Sequence, residues 1–223
     1  MKTEQIGSAT LYLGDCRDIL RDIGKIDALI SDPPYGIAYK HGEGGGGMKN
    51  TNVYTGTIIG DDKPFDPGHL LAISPNKTLL FGANYYAALM PQGKGDWIAW
   101  DKVPRGGAHS SFRDVEFMWS SVRTPRNIYR QQWSGAIRSG EGAPSKERRL
   151  HVSQKPVEMM MWCIDTLRVP VGGTVLDPYM GSGSTGVAAL RKGCRFIGIE
   201  IDEGHFITAC KRLEREQKHN EHI

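Results

Sequence analysis

An α/β fold, with a mostly parallel sheet, helices on both faces and an antiparallel edge, is predicted by three observations. Short apolar runs alternate with segments of helical periodicity along most of the chain. Two of those runs, at 26–31 and 174–177, place apolar residues at adjacent positions rather than in strict alternation, as strands buried on both faces do. Each delivers a carboxylate at its carboxyl end, Asp32 and Asp177, followed directly by proline. After Asp177 comes a glycine-rich turn, Tyr179-Met180-Gly181-Ser182-Gly183-Ser184-Thr185, which leads into a helix. Strand, glycine turn and helix in that order let backbone approach a nucleotide-like ligand closely.

In chain order, Ala9-Thr10-Leu11-Tyr12-Leu13 reads as a strand and 17–23 as a helix. The strand at 26–31 runs into Asp32-Pro33-Pro34-Tyr35. A short helix over 65–73 precedes a strand at 78–81, and a further helix begins near Asn84 and stops by Pro91, where proline cannot continue it. The runs 97–100 and 115–119 read as an antiparallel pair on the far side of the sheet. Pro156 opens a helix over 157–167. Strand 174–177, a helix reaching Leu190, strand 196–199 and a helix over 204–217 complete the order.

Two stretches break the alternation. Residues 40–60 contain His41-Gly42-Glu43-Gly44-Gly45-Gly46-Gly47, whose backbone entropy opposes regular structure, and a flexible loop is expected there. Residues 103–150, rich in Gly, Ser and Arg, read as a small inserted segment of a single domain spanning 1–223.

A chain of 223 residues holds one core of ordinary size. With 39% hydrophobic and 24% charged residues, and no apolar stretch near the roughly 20 residues that span a bilayer, membrane insertion is not expected. The first residues carry no apolar leader, and Cys16, Cys163, Cys194 and Cys210 form no CxxC pair, so a reduced, cytoplasmic protein without a metal centre is expected. The net charge of +3 is modest, but 123–149 holds seven basic residues against two acidic ones. Tyr129 and Trp133 are interleaved among them, as a nucleic-acid surface requires, and Arg126, Arg130, Trp133 and Arg138 are the expected DNA contacts.

Asp32-Pro33-Pro34-Tyr35 offers a carboxylate, two rigid prolines and an aromatic face, a site suited to a flat base bearing an amino group. Standing ahead of the Asp177–Thr185 motif in the chain, it resembles the β-class DNA amino-methyltransferases, which use S-adenosylmethionine to methylate an exocyclic amine. Leu13-Gly14-Asp15-Cys16, His151-Val152-Ser153-Gln154-Lys155-Pro156 and Gly198-Ile199-Glu200-Ile201-Asp202 extend the resemblance over most of the chain. Val152 and Ser153 stand where the family usually has Pro and Thr.

The resemblance implies a Rossmann-like methyltransferase fold, circularly permuted so that the catalytic half comes first. It implies catalysis by Asp32, Pro33, Pro34 and Tyr35, with Tyr35 stacking on a flipped base. The cofactor would be held by Asp15, Cys16, Asp32, Gln154, Lys155, Asp177, Tyr179, Gly181, Ser182, Gly183, Ser184, Glu200 and Ile201. In that set Asp15 bonds the adenine amine, Glu200 the ribose hydroxyls, Asp177 the methionine amino group, and Gln154 with Lys155 the carboxylate end. Double-stranded DNA is the implied partner, in a restriction-modification setting. A homodimer is allowed, with Met159, Met160, Met161 and Trp162 serving either as its apolar face or, the favoured use, as core. The leading Asp32 points to adenine N6. Cytosine N4 is the alternative, because such members begin the tetrapeptide with Ser and Ser31 precedes Asp32. A nucleic-acid-binding protein or an RNA methyltransferase on the same fold is the reading from another class.

Overall fold

The computed structural model describes residues 2–38, 58–73, 77–103, 114–134, 137–138 and 154–220. The strands are β1 (Lys2–Ile6), β2 (Ala9–Leu13), β3 (Ala28–Ser31), β4 (Thr78–Phe81), β5 (Asp96–Asp101), β6 (Val115–Ser120), β7 (Ile128–Arg130), β8 (Trp133–Ser134), β9 (Ile137–Arg138), β10 (Thr174–Asp177) and β11 (Arg195–Glu200). The helices are α1 (Cys16–Ile19), α2 (Gly68–Ala72), α3 (Val157–Thr166), α4 (Ser184–Arg191) and α5 (Glu203–Asn220), with 3₁₀ turns at Leu20–Asp22 and Ala83–Leu89. Nine strands form one sheet in the order β1-β2-β11-β10-β3-β4-β6-β5-β7, and β8 pairs with β9 apart from it. From β2 through β4 the neighbours run parallel. Beyond β4 the sheet turns antiparallel through β6 and β5, and β1 forms an antiparallel hairpin on β2.

The central strands are buried on both faces, which is why β3, β4 and β10 read as continuous runs rather than as alternating ones. Their side chains still divide by the two-residue period of a strand. Ala28, Ile30, Leu79, Phe81 and Val175 pack under α3, α4 and α5. Leu29, Leu80, Leu176 and Ile199 pack on the other face against α1, α2 and the 3₁₀ turns. The long helices thus share one face, and the opposite face is closed by short elements. Met159 and Met160 are buried in the first of these cores.

Three features depart from the sequence reading. β1 and β7 were not expected, because both lie at sheet edges with largely exposed side chains and so carry no apolar period. The helix expected from Asn84 is a kinked 3₁₀ turn. At its kink Tyr86 has φ −125°, and its hydroxyl donates to the Phe81 carbonyl at 2.6 Å. The helix expected over 65–73 is confined to α2, since Pro64 and Pro67 precede it. The glycine-rich run 41–47, His151 to Ser153 and most of 103–150 lie outside the described residues. Among those described, no helix is long and apolar enough to cross a membrane.

Candidate active site

The carboxyl ends of β2, β11, β10 and β3 lie side by side, so Asp15, Glu200, Asp177 and Asp32 emerge along one edge of the sheet. That edge floors a cavity of about 1020 Å³. Of the residues expected to bind the cofactor, all but Gly183 line it, as do Pro33, Pro34 and Tyr35. Gly183 has φ +81°, and a Cβ there would lie 3.0 Å from both Ala209 Cβ and Leu213 Cδ1. Its role is therefore the close approach of α5 to the glycine turn rather than of backbone to a ligand.

Asp177 ties the two halves of the site together. Its Oδ1 accepts from Ser31 Oγ at 2.7 Å and from Tyr179 N at 3.1 Å, and its Oδ2 accepts from Thr185 Oγ1 at 2.6 Å. Burial pushes its carboxyl up to about 6, against the pull of these donors. A carboxylate accepts about four hydrogen bonds, so one position remains for a ligand's amino group. Ser31 spends its hydroxyl on this bond and does not present it to the cavity floor beside Asp32.

Glu200 takes the Gly181 N–H on Oε2 at 2.9 Å and the Asp202 N–H on Oε1 at 2.8 Å. Burial raises it to about 7, and acceptor capacity remains for a ligand hydroxyl. Asp15 caps α1 and holds Arg17 through its backbone N–H and guanidinium, and that guanidinium keeps the carboxyl low. Beside it lies a small aromatic wall. His69 Nε2 is 2.9 Å from the Tyr179 hydroxyl and 3.9 Å from Cys16 Sγ, and Phe65 packs edge-on against both rings. Burial holds His69 below its usual value and the Cys16 thiol above, so both are neutral near pH 7.

The Asp32–Tyr35 tetrapeptide sits in a network of charge. Lys155 Nζ is 2.7 Å from Asp32 Oδ2 and 3.0 Å from Glu116 Oε1. The Tyr35 hydroxyl is 2.5 Å from Asp32 Oδ1 and 2.7 Å from Glu116 Oε1. Lys102 closes on the other oxygen of Glu116 at 3.5 Å. Lys155 thus directs its ammonium at the tetrapeptide, whereas the sequence reading placed it at the cofactor's carboxylate end. The Tyr35 ring stacks on Tyr85, with centroids 5.1 Å apart and planes 16° from parallel. A Cβ on Gly82 would come within 2.1 Å of Tyr35 Cε1, so only glycine allows the ring to lie there.

Asp61, absent from the sequence reading, fixes the chain after the tetrapeptide. Its Oδ1 accepts the N–H groups of Tyr35, Gly36 and Ile37 at 2.9, 2.8 and 3.3 Å. Glu116, Lys102, His69 and Phe65 were also missed. Only Glu116 left a trace, as a lone charge inside the apolar run 115–119 and on the same face as the buried Met118 and Ser120.

Of the expected DNA contacts, Trp133 is half-buried, lines the cavity and donates its indole N–H to the Gln154 carbonyl at 3.1 Å. Arg126 and Arg130 are exposed, Arg130 standing 3.7 Å from Asp101, and Arg138 is described in its backbone alone. Tyr129 is drawn inward against Trp162, ring centroids 5.1 Å apart.

A family model for DNA methylases, N6_N4_Mtase, matches residues 113–211. The chain is 44% identical over 70 residues to the type II methyltransferase M2.DpnII of Streptococcus pneumoniae, covering 31% of this chain and 26% of that protein. With M.HinfI of Haemophilus influenzae it shares 27% identity over 254 residues, covering 95% and 69% of the two chains. Among solved structures, PvuII DNA methyltransferase, described as cytosine-N4-specific, aligns with TM-score 0.61 at 13% identity over 97% of this chain and 95% of that one. The M1.HpyAVI–SAM complex aligns with TM-score 0.56 at 23% identity over 92% and 98%. Identities this low speak to the fold, a Rossmann-like methyltransferase fold. In the family match, the sequence relatives and the motifs set along one sheet edge, the chain is similar to the DNA amino-methyltransferases.

Proposed function

We propose that this chain methylates the N6 amine of adenine in double-stranded DNA. The position of Asp32 carries the reading. It leaves β3 at the cavity floor, beside the strand ends that bear Asp177 and Glu200, while Ser31 is turned into Asp177. The amine-accepting position is thus filled by an aspartate carboxyl group and not by the serine of a cytosine-N4 tetrapeptide.

The residues suit the cofactor. Glu200 is a buried acceptor with capacity to spare, Asp177 has one acceptor position left, and the wall of Phe65, His69 and Tyr179 is lined by flat rings beside Asp15. When bound, S-adenosylmethionine supplies a methyl group on a sulfonium centre. The chain's own work is to present the acceptor amine. An exocyclic amine is a weak nucleophile because its lone pair is delocalised into the ring. Asp32 accepting one amine hydrogen and the Pro33 carbonyl the other favour a pyramidal nitrogen with a localised lone pair. Flipping the base out of the duplex costs a few kcal/mol, and stacking on the Tyr35–Tyr85 pair offsets roughly 1–3 kcal/mol of it. The exposed Arg126 and Arg130 supply phosphate contacts.

The test is transfer of labelled methyl from S-adenosylmethionine to unmethylated duplex DNA, with nucleoside analysis of the product and Asp32→Ala alongside. N6-methyladenine that falls by roughly 10²–10⁴ in the variant is the expected result. N4-methylcytosine would move the acceptor to cytosine. Labelling of folded RNA alone, or of nothing despite cofactor binding, would overturn the reading.

A further inference from the structure

We propose that Asp32 and Glu116 share one proton through the hydroxyl of Tyr35, and that Glu116 is where the proton leaving the methylated amine comes to rest. The inference rests on the methyl-transfer reading above. It starts from a count of protons. The Tyr35 oxygen lies 2.5 Å from Asp32 Oδ1, 2.7 Å from Glu116 Oε1 and 3.3 Å from Lys155 Nζ. A phenol donates one proton and accepts on two lone pairs. Lys155 donates to one lone pair, and the hydroxyl donates to one carboxyl group. The second oxygen–oxygen contact is a hydrogen bond only if the other carboxyl group carries a proton and donates to the remaining lone pair. Two carboxylates sharing one hydroxyl would leave one of these contacts repulsive.

The surroundings decide which group holds that proton. Among the described residues Glu116 faces two cations, Lys155 from the segment before α3 and Lys102 just after β5, whereas Asp32 faces Lys155 alone. Burial raises both groups. The two ammonium ions outweigh it at Glu116, while at Asp32 burial and the charge of Glu116 prevail over Lys155. The resting proton therefore belongs on Asp32 Oδ1, facing Tyr35, and Oδ2, which accepts from Lys155 Nζ at 2.7 Å, keeps a further lone pair for the amine hydrogen.

As the amine nitrogen takes the methyl group it becomes cationic and must lose a proton. Asp32 Oδ2 receives that proton, the Oδ1 proton passes to the Tyr35 oxygen, and the Tyr35 proton passes to Glu116 Oε1. One proton leaves nitrogen and one arrives on Glu116, with Asp32 and Tyr35 ending as neutral as they began. Water at the cavity edge then takes the proton from Glu116. Glu116 acts through Tyr35 and touches no substrate, so it is a positioning residue with a proton-holding role.

Glu116→Gln keeps the shape and removes the resting place. Infrared difference spectra of the cofactor-free protein at pH 8, wild type minus E116Q and wild type minus Asp32→Asn, are expected to contain a carboxylic-acid band; two featureless spectra overturn the shared proton. Single-turnover methyl transfer in E116Q should fall roughly 100-fold and lose its low-pH limb, with Glu116→Asp restoring part of both. A variant with the wild-type rate and pH profile, or a slower one whose profile is unmoved, overturns the proton-holding role. The infrared result requires no methyl acceptor. A wild type that shows the band but methylates no DNA would therefore sink the functional reading and leave the shared proton standing.

Discussion

Two pairs of buried carboxyl groups face one cavity and are held by different means. Asp177 and Glu200, in the half proposed to hold the cofactor, rest on hydroxyls and backbone N–H groups, and burial lifts them to about 6 and about 7. Asp32 and Glu116, in the half proposed to be catalytic, rest on the ammonium ions of Lys155 and Lys102 and on the Tyr35 hydroxyl. Neutral donors leave a carboxylate short of stabilisation, and an arriving ligand's donors make up the shortfall. Fixed cations settle the charge in advance, which suits groups that must pass a proton and return to their starting state. The cofactor half is built to be completed by what it binds, and the catalytic half is complete without it.

The contrast breaks most severely at Lys155. Lys155→Met leaves two acidic groups across a hydroxyl without their shared cation, and a loss of about 3–5 kcal/mol is expected in urea unfolding of the cofactor-free protein at pH 8. A loss under about 1 kcal/mol would mean that solvent, not Lys155, balances the pair. In the other half, Glu200→Gln removes a charged acceptor that waits for a hydroxyl. Calorimetry should record S-adenosylmethionine binding weakened by about 1.5–3 kcal/mol at pH 8, without a matching loss of stability in the empty chain. Equal binding would place the ribose elsewhere.

The pH dependence of Glu200 sharpens the point, because stability and binding should move in opposite directions. Its ordinary value is 4.5 and its value in the fold is about 7. A raised acid favours the folded state while protonated, so its contribution is full below about 4.5 and is lost as pH rises through about 7. Thermal unfolding of the empty protein should thus show wild type losing stability relative to E200Q over that interval, on the order of 3 kcal/mol. Cofactor affinity should rise over the same interval, since hydroxyls donate to the ionised form. The smallest effect is expected at the tie between the halves. Ser31→Ala deletes a donor to Asp177 and should cost about 1 kcal/mol, a drop of a few degrees in Tm by calorimetry.

What the sequence made legible was local. A buried strand followed by Asp-Pro, and a glycine turn after a second one, announce themselves within a few residues, and so Asp32, Asp177 and Glu200 were placed correctly at strand ends. The partners of these groups were not local. Lys155 meets Glu116 only because β6 pairs antiparallel with β4, bringing Phe81 opposite Met118 and the start of β6 over the tetrapeptide. Asp61 lies in an irregular stretch where no period marks a buried side chain, and its three N–H partners follow from chain geometry alone. Trp133 read as a DNA contact because aromatic and basic residues alternate around it, yet its indole N–H is engaged by Gln154, a tertiary bond that composition does not encode.

The sheet order also bears on how the chain is made. β10 and β11 lie between β2 and β3, yet Asp177 follows Ser31 by 146 residues. A ribosome therefore releases β2 and β3 long before the strands that separate them. Until those arrive, each presents a bare backbone edge to solvent, and such edges recruit foreign strands. Pairing across so long an interval is also slow. A nascent chain halted before residue 174 is thus a species for chaperones to hold. The glycine turn lies between the two strands that close the seam, so cofactor binding can serve as the report of a finished sheet.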